Sequence, residues 1–351
     1  MTSIAELAPR TAKTAGLRYV SCSEPGVARL RKGKGFVYRL PNGKLLRQAQ
    51  ELERIRKLAL PPAWRDVWIC KDPRGHLLAT GVDARGRKQY RYHPRWRSVR
   101  DEAKYDDLLA FAERLPQLRR RLARDLALPT LCRDKVLATV VSLMARTAAR
   151  VGNDRYAESN GSYGLTTLLD RHAQVGAGKV EFRFRGKGGK PYRASVADRH
   201  LASIVKRCRD IPGQRLFQYV DERGDFQAVT SSDVNDYLKR ACGIDVTAKT
   251  FRTWSATLLA TSKLRALPID GSLSAQKRTL NTVLDAVAEH LGNTRAICRK
   301  SYVDPRVVDA YLLGKLASCS RATRRAGLSA EECQLVAILE ATRRSERQAA
   351  A

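Results

Sequence analysis

Along the first hundred residues, hydrophobic and polar positions alternate in short runs. Phe36-Val-Tyr-Arg-Leu40 reaches Pro41-Asn-Gly-Lys44 and resumes at Leu45-Leu46. Val67-Trp-Ile-Cys70 meets Asp72-Pro-Arg-Gly75 and continues as His76–Thr80, and Asp83-Ala-Arg-Gly86 precedes Lys88-Gln-Tyr-Arg-Tyr92. Period-two runs joined by such turn residues read as short strands. One stretch, Ala49–Leu58, sets Leu52, Ile55 and Leu58 at helical spacing and stops before Pro61-Pro62, where proline cannot continue a helix. The pattern predicts a small, basic β-rich domain over 16–98, preceded by a disordered tail over 1–15.

From Asp101 the period changes to three or four. Leu108/Leu109, Leu118/Leu122/Leu126, Val136/Leu137/Val140/Val141/Met144 and Val283/Leu284/Val287/Leu291 suit amphipathic or buried helices. Ser329-Ala-Glu-Glu332 is a capping box ahead of Leu335, Val336, Ile338 and Leu339. Within this region Val180-Glu-Phe-Arg-Phe-Arg185 alternates, turns through Gly186-Lys-Gly-Gly-Lys190 and returns as Tyr192–Val196. Residues 99–345 therefore read as a mostly helical domain carrying one β-hairpin, and the fold class as α+β. No repeat is visible at a period of 20–50 residues.

Charge sets the class of partner. The 351 residues include 66 Lys+Arg against 35 Asp+Glu, a formal charge of +31. Residues 1–100 hold 23 of those cations and 7 of the acids. A field of that sign draws a polyanion, either nucleic acid or an anionic membrane. The membrane reading fails on length, since the longest apolar run, around Val136–Met144, is far short of the roughly 20 residues a span needs. The N-terminus lacks the pattern of a secretory signal. Cys22, Cys70, Cys132, Cys208, Cys242, Cys298, Cys319 and Cys333 lie far apart with no C-x-x-C, and five histidines are equally scattered. That spacing suits free thiols in a reducing cytoplasm and argues against a zinc site.

Signatures of common nucleic-acid chemistry are missing. There is no G-x-x-x-x-G-K-[ST], so no nucleotide cofactor is expected, and no Asp/Glu/His cluster suggests a two-metal site. Phosphodiester chemistry without either needs a side-chain nucleophile, cations for the phosphate oxygens and a proton donor for the leaving oxygen. Asn293 lies nine residues before Tyr302, in a segment where one helix ends at Gly292 and Thr294 caps a short new one. Lys249-Thr-Phe-Arg252 places two cations on one face of a helix start. Ala148-Ala-Arg150-Val-Gly ends an apolar helix with an arginine ahead of a glycine.

Taken in order, Arg150, the hairpin Lys187, Lys249-x-x-Arg252, Gly292-Asn293 and Tyr302 resemble the catalytic domain of type IB DNA topoisomerases, which the tyrosine recombinases share. Gly86-Arg-Lys-Gln89-Tyr90-Arg-Tyr92 resembles the G-R-x-Q-Y-x-Y strand of the small poxvirus-type enzymes. The likeness is to a bacterial, poxvirus-like member and covers nearly the whole chain. It implies that Tyr302 is the nucleophile, forming a 3′-phosphotyrosyl bond and releasing a 5′-hydroxyl. Arg150 and Arg252 would hold the non-bridging oxygens, a task suited to the planar, permanently charged guanidinium. Asn293 stands where His is commoner, and its amide can donate a hydrogen bond but cannot transfer a proton. Lys187 would protonate the leaving 5′-oxygen, with Lys190 in the same turn as the alternative, and Lys249 resembles the family's second acid-assisting lysine. Tyr90 and Tyr92 share a strand face. With Gln89 they would contact bases and backbone, while Arg87 and Lys88 meet phosphates and Tyr156 adds a further contact.

The resemblance also implies an ATP- and metal-independent isomerase that nicks one strand, lets the duplex swivel and reseals it. Double-stranded DNA is the expected partner, gripped by a two-lobed clamp. A monomer in the cytoplasm, associated with the nucleoid, follows by analogy. A tyrosine site-specific recombinase is the second reading. It would begin with a helical DNA-binding domain and carry His-x-x-Arg. A non-enzymatic DNA-binding protein would account for the charge but not for the ordered residues.

Overall fold

The computed structural model describes residues 4–33, 35–84, 86–267, 271–316 and 322–349. The chain divides into two compact units, Met1–Lys104 and Tyr105–Ala351. The first contains α1 (Ile4–Thr14), β1 (Val27–Lys32), β2 (Gly35–Arg39), α2 (Ala49–Lys57), β3 (Arg65–Ile69), β4 (Leu77–Val82) and β5 (Lys88–Tyr92), and the division falls within α3 (Pro94–Leu126). Its five strands form one antiparallel sheet in the order β2-β1-β3-β4-β5. Val27, Val67, Ile69 and Ala79 pack with Ile55 of α2. Where the sequence predicts a disordered tail over 1–15, helix α1 occupies most of the residues, and its Ala12 is buried with Leu17 and Trp96. Residues 1–3 lie outside the described residues.

Strand β1 escaped the hydrophobic pattern although it lies inside the sheet. The reason is Arg29, which takes one of its buried positions. Its guanidinium donates to the carbonyls of Leu60 (3.2 Å), Pro61 (2.9 Å) and Trp64 (2.8 Å) and lies 4.3 Å from the Phe36 ring centroid. Burial lowers its pKa. A polar residue thus does the packing that the binary pattern assigns to an apolar one.

The second unit continues with α4 (Arg133–Thr147), α5 (Asp154–Asn160), β6 (Ala173–Gly176), β7 (Lys179–Arg185), β8 (Pro191–Ala197) and α6 (Arg199–Arg209). Then follow β9 (Gln218–Val220), β10 (Phe226–Ala228), α7 (Ser231–Cys242), α8 (Ala248–Ala266), α9 (Leu273–Leu291), α10 (Arg295–Ser301), α11 (Pro305–Leu312) and α12 (Ala330–Ala349). The single hairpin foreseen over 180–196 is the larger part of a three-stranded sheet, β6-β7-β8, and a separate ribbon pairs β9 with β10. Strand β6 is four residues long and β10 is exposed throughout, so neither leaves a readable alternation. Helix α4, buried on nearly every side from Lys135 to Met144, runs through the core. Among the described residues no helix is long and apolar enough to cross a membrane.

Local signals explain the helix ends. Gly292 closes α9 in the left-handed conformation (φ 61°) that glycine adopts without a Cβ penalty, and Thr294 caps α10 by accepting from the Ile297 N–H. Ser329 and Glu332 form the reciprocal box at the start of α12. Replacing Arg29 by Met would strip three carbonyls of their donor. Urea unfolding of the Arg29→Met protein should show a loss of about 2–4 kcal/mol. An unchanged midpoint would mean that water satisfies these carbonyls.

Candidate active site

Helix α4 stops at Thr147 because Ala148 turns left-handed (φ 52°), its N–H bonding to the Met144 carbonyl at 2.9 Å. The loop that follows is held along its backbone. Leu165 N–H donates to the Arg150 carbonyl (2.9 Å), and the Thr166 N–H (2.7 Å) and hydroxyl (3.0 Å) donate to that of Val151. A Cβ on Gly164 would stand 2.5 Å from the Gly152 nitrogen and 2.7 Å from the Arg150 carbonyl oxygen, so only glycine allows this approach. Fixed in this way, Arg150 donates to Asn293 Oδ1 at 2.5 Å.

Arg252 lies in the first turns of α8 and is 4% exposed. Its guanidinium donates to the carbonyl of Ala148, at the end of α4, and to that of Leu291, at the end of α9 (2.8 Å). Both acceptors sit at helix C-termini, where the macrodipole favours a cation. Its Nε is buried without a hydrogen bond of normal geometry. The Asn293 Nδ2 is likewise buried, with only a weak approach to the Cys298 thiol.

Tyr302 ends α10 as its C-cap, half-buried, with the Arg252 Cζ 5.3 Å from its ring centroid. Burial alone would raise the phenol's pKa. The charge and close approach of Arg252 outweigh that, Arg150 and Lys249 add to it, and the net shift is downward. Lys249 itself is exposed, one turn before Arg252. Burial and the neighbouring Arg252 lower the pKa of Arg150. Arg150, Arg252, Asn293 and Tyr302 thus converge. Lys187 and Lys190 do not join them: both are exposed in the β7–β8 turn, and neither side chain makes a hydrogen bond or ion pair among the described residues.

Tyr192 was visible in the sequence only as a strand residue, yet it packs beside this cluster. Its hydroxyl donates to the Thr147 carbonyl (2.5 Å), and its ring lies 4.9 Å from that of Phe184. Burial raises its pKa despite Arg252 and Arg150. His290, three residues before Asn293, pairs with the Ser255 hydroxyl at 3.2 Å, and burial followed by the Arg252 charge lowers its pKa. No spacing rule singles out either residue. Among the described residues no group of three or more His, Cys, Asp or Glu could hold a metal ion.

In the first unit the tyrosine rings of β5 stack on one face, Tyr90 to Tyr92 at 6.0 Å and 9°, and Tyr90 is 45% exposed. Lys88 Nζ lies 5.9 Å from the Tyr90 centroid and 3.1 Å from the Cys22 sulfur. Gln89 and Arg87 both reach Asp83, at 2.8 and 2.7 Å. Tyr156 is 43% exposed on α5, in the second unit.

Residues 93–316 match the family described as eukaryotic DNA topoisomerase I, catalytic core, and residues 35–83 match the bacterial DNA topoisomerase IB N-terminal domain. A DNA topoisomerase 1B of Acanthamoeba polyphaga mimivirus is 30% identical over 295 residues, 82% of this chain and 87% of the relative. That of vaccinia virus strain Copenhagen is 20% identical over 66% of this chain and 72% of its own. A solved structure of the XerH site-specific recombinase on palindromic difH substrate overlays with a TM-score of 0.36 at 16% identity, covering 59% of this chain and 50% of that one. The chain belongs to the type IB DNA topoisomerases, a class of isomerases.

The lowered pKa of Tyr302 has a measurable sign. Phenolate forms at lower pH than in the unfolded chain, where the value is about 10. The stability this gives is complete above the unfolded value and is lost as pH falls through the folded one. Ultraviolet difference titration against Tyr302→Phe should place Tyr302 below an ordinary tyrosine, and Arg252→Met should move it upward. An unmoved titration would remove Arg252 as the cause.

Proposed function

We propose that this enzyme relaxes supercoiled DNA by cutting one strand, letting the duplex rotate about the other, and rejoining the break. The observation that carries the reading is the convergence of Arg150, Arg252 and Asn293 on Tyr302. The Tyr302 oxygen, its proton lost with the help of the neighbouring cations, attacks a backbone phosphorus. The bond to the 5′-oxygen breaks, and a 3′-phosphotyrosyl diester forms as the 5′-hydroxyl leaves. Arg150 and Arg252 share the charge that builds on the non-bridging oxygens, and Asn293 donates a neutral hydrogen bond. The diester conserves the energy of the broken linkage, so resealing needs no ATP.

Lys187 supplies the proton to the leaving oxygen, with Lys190 as the alternative in the same turn. An exposed turn carrying Gly188 and Gly189, both at φ 75°, is suited to bringing an ammonium to DNA. Tyr90, Tyr92, Gln89, Arg87 and Lys88 hold the duplex from the β-rich unit, with Tyr156 adding to the grip from the helical one. The two-lobed clamp, a monomeric enzyme, a nucleoid-associated place in the cytoplasm and independence of metal belong to the same reading.

Wild-type protein should relax supercoiled plasmid in EDTA without ATP, and Tyr302→Phe should bind the plasmid with nearly unchanged affinity yet leave it supercoiled. Relaxation by the Phe variant would remove Tyr302 as nucleophile. Lys187→Ala should cleave slowly on ordinary DNA and recover on a substrate with a better 5′ leaving group. A larger defect in Lys190→Ala would transfer the acid role to that residue.

A further inference from the structure

Tyr302 stands where the chain leaves α10, at φ −134° and ψ −29°, outside regular helical geometry. Its own N–H is bonded to the Cys298 carbonyl (3.0 Å), which also accepts from Val303 (2.9 Å). The Tyr302 carbonyl finds its donor elsewhere. The hydroxyl of Thr257, a fully buried residue on α8, donates to it at 3.1 Å and accepts the Asp304 N–H at 3.1 Å. One hydroxyl therefore fastens the backbone on both sides of Val303. Beyond it Asp304, also fully buried, accepts from Arg306 Nη2 at 2.7 Å, and the same nitrogen donates to the Tyr105 carbonyl at 2.7 Å.

Helix α8 carries Arg252 five residues before Thr257. The cation beside the phenol and the clasp on the phenol's backbone thus belong to one rigid segment. We propose that Thr257 is a positioning residue: its hydroxyl sets the distance between Tyr302 and Arg252, and so the alignment of the Tyr302 oxygen for attack. This rests on reading Tyr302 as the nucleophile. Valine has the shape of threonine without the hydroxyl, so Thr257→Val would remove the bonds to the Tyr302 carbonyl and the Asp304 N–H and free the 302–304 segment to shift. Displacement of a reacting group by about 1 Å can cost on the order of a hundredfold in rate.

The experiment is single-turnover cleavage of a duplex, run beside equilibrium binding and thermal melting, for wild type, Thr257→Val, Thr257→Ser and Tyr302→Phe. Thr257→Val should cleave about tenfold or more slowly with DNA affinity within about twofold of wild type. Thr257→Ser, which keeps the hydroxyl, should restore the rate. A folded Thr257→Val that cleaves at the wild-type rate overturns the proposal. So does a Thr257→Ser as slow as the valine variant, since the lost methyl would then be responsible. Should the valine variant not fold, the serine variant still decides, because a slow, folded Thr257→Ser contradicts the role. Cleavage by Tyr302→Phe would instead overturn the assignment of the nucleophile, a separate failure read in the same assay.

Discussion

A single buried guanidinium organises the helical unit's site. Arg252 sits where water cannot solvate it, a position costly for any charge. The cost is offset by two carbonyls at the C-terminal ends of α4 and α9, where the helix dipoles concentrate negative charge. These bonds leave the cation beside the Tyr302 ring. They also fix the ends of the two helices from which the rest of the site departs: Arg150 follows the end of α4, and Asn293 follows the end of α9. A lysine would hold this connection less rigidly, because its ammonium is a point charge on a flexible stem and lacks the planar fork of the guanidinium. The fold and the chemistry meet in one residue.

The division of labour within the site follows from burial. Burial, and after it the neighbouring charge of Arg252, depresses the protonation of Arg150. Such crowding of like charge is relieved by a nearby anion. Burial disfavours the charged forms of the neighbouring Tyr192 and His290, and the Arg252 charge adds to this at His290.

The sequence made the residues that cluster at Tyr302 legible because their neighbours carry strong local signals. Gly292 ends a helix and Thr294 starts one, so the position of Asn293 and the spacing to Tyr302 could be read without a structure. The β-hairpin and the last helix's capping box were equally clear. Strand β1 was hidden because Arg29 fills an inward position, and β6 and β10 were too short or too exposed to alternate. In the helix over Ile4–Thr14 the buried Ala12 is a small residue, which marks no hydrophobic stripe in the sequence. Thr257 and Tyr192 could not have been found at all. Their importance lies in bonds to backbone carbonyls, which no side-chain pattern records.

Helix α10 has a consequence of its own. It spans seven residues, Arg295–Ser301, a rise of about 10 Å, and it begins beside Asn293 and ends at Tyr302. Both of its ends are tied down: Asn293 to Arg150, and the Tyr302 backbone to α8. The helix therefore acts as a ruler whose graduations are angular as well as linear. One residue more or fewer would swing the phenol by about 100° around the axis, away from the arginines, while leaving every residue type intact. The length of this segment, and not only its composition, therefore sets where the phenol points.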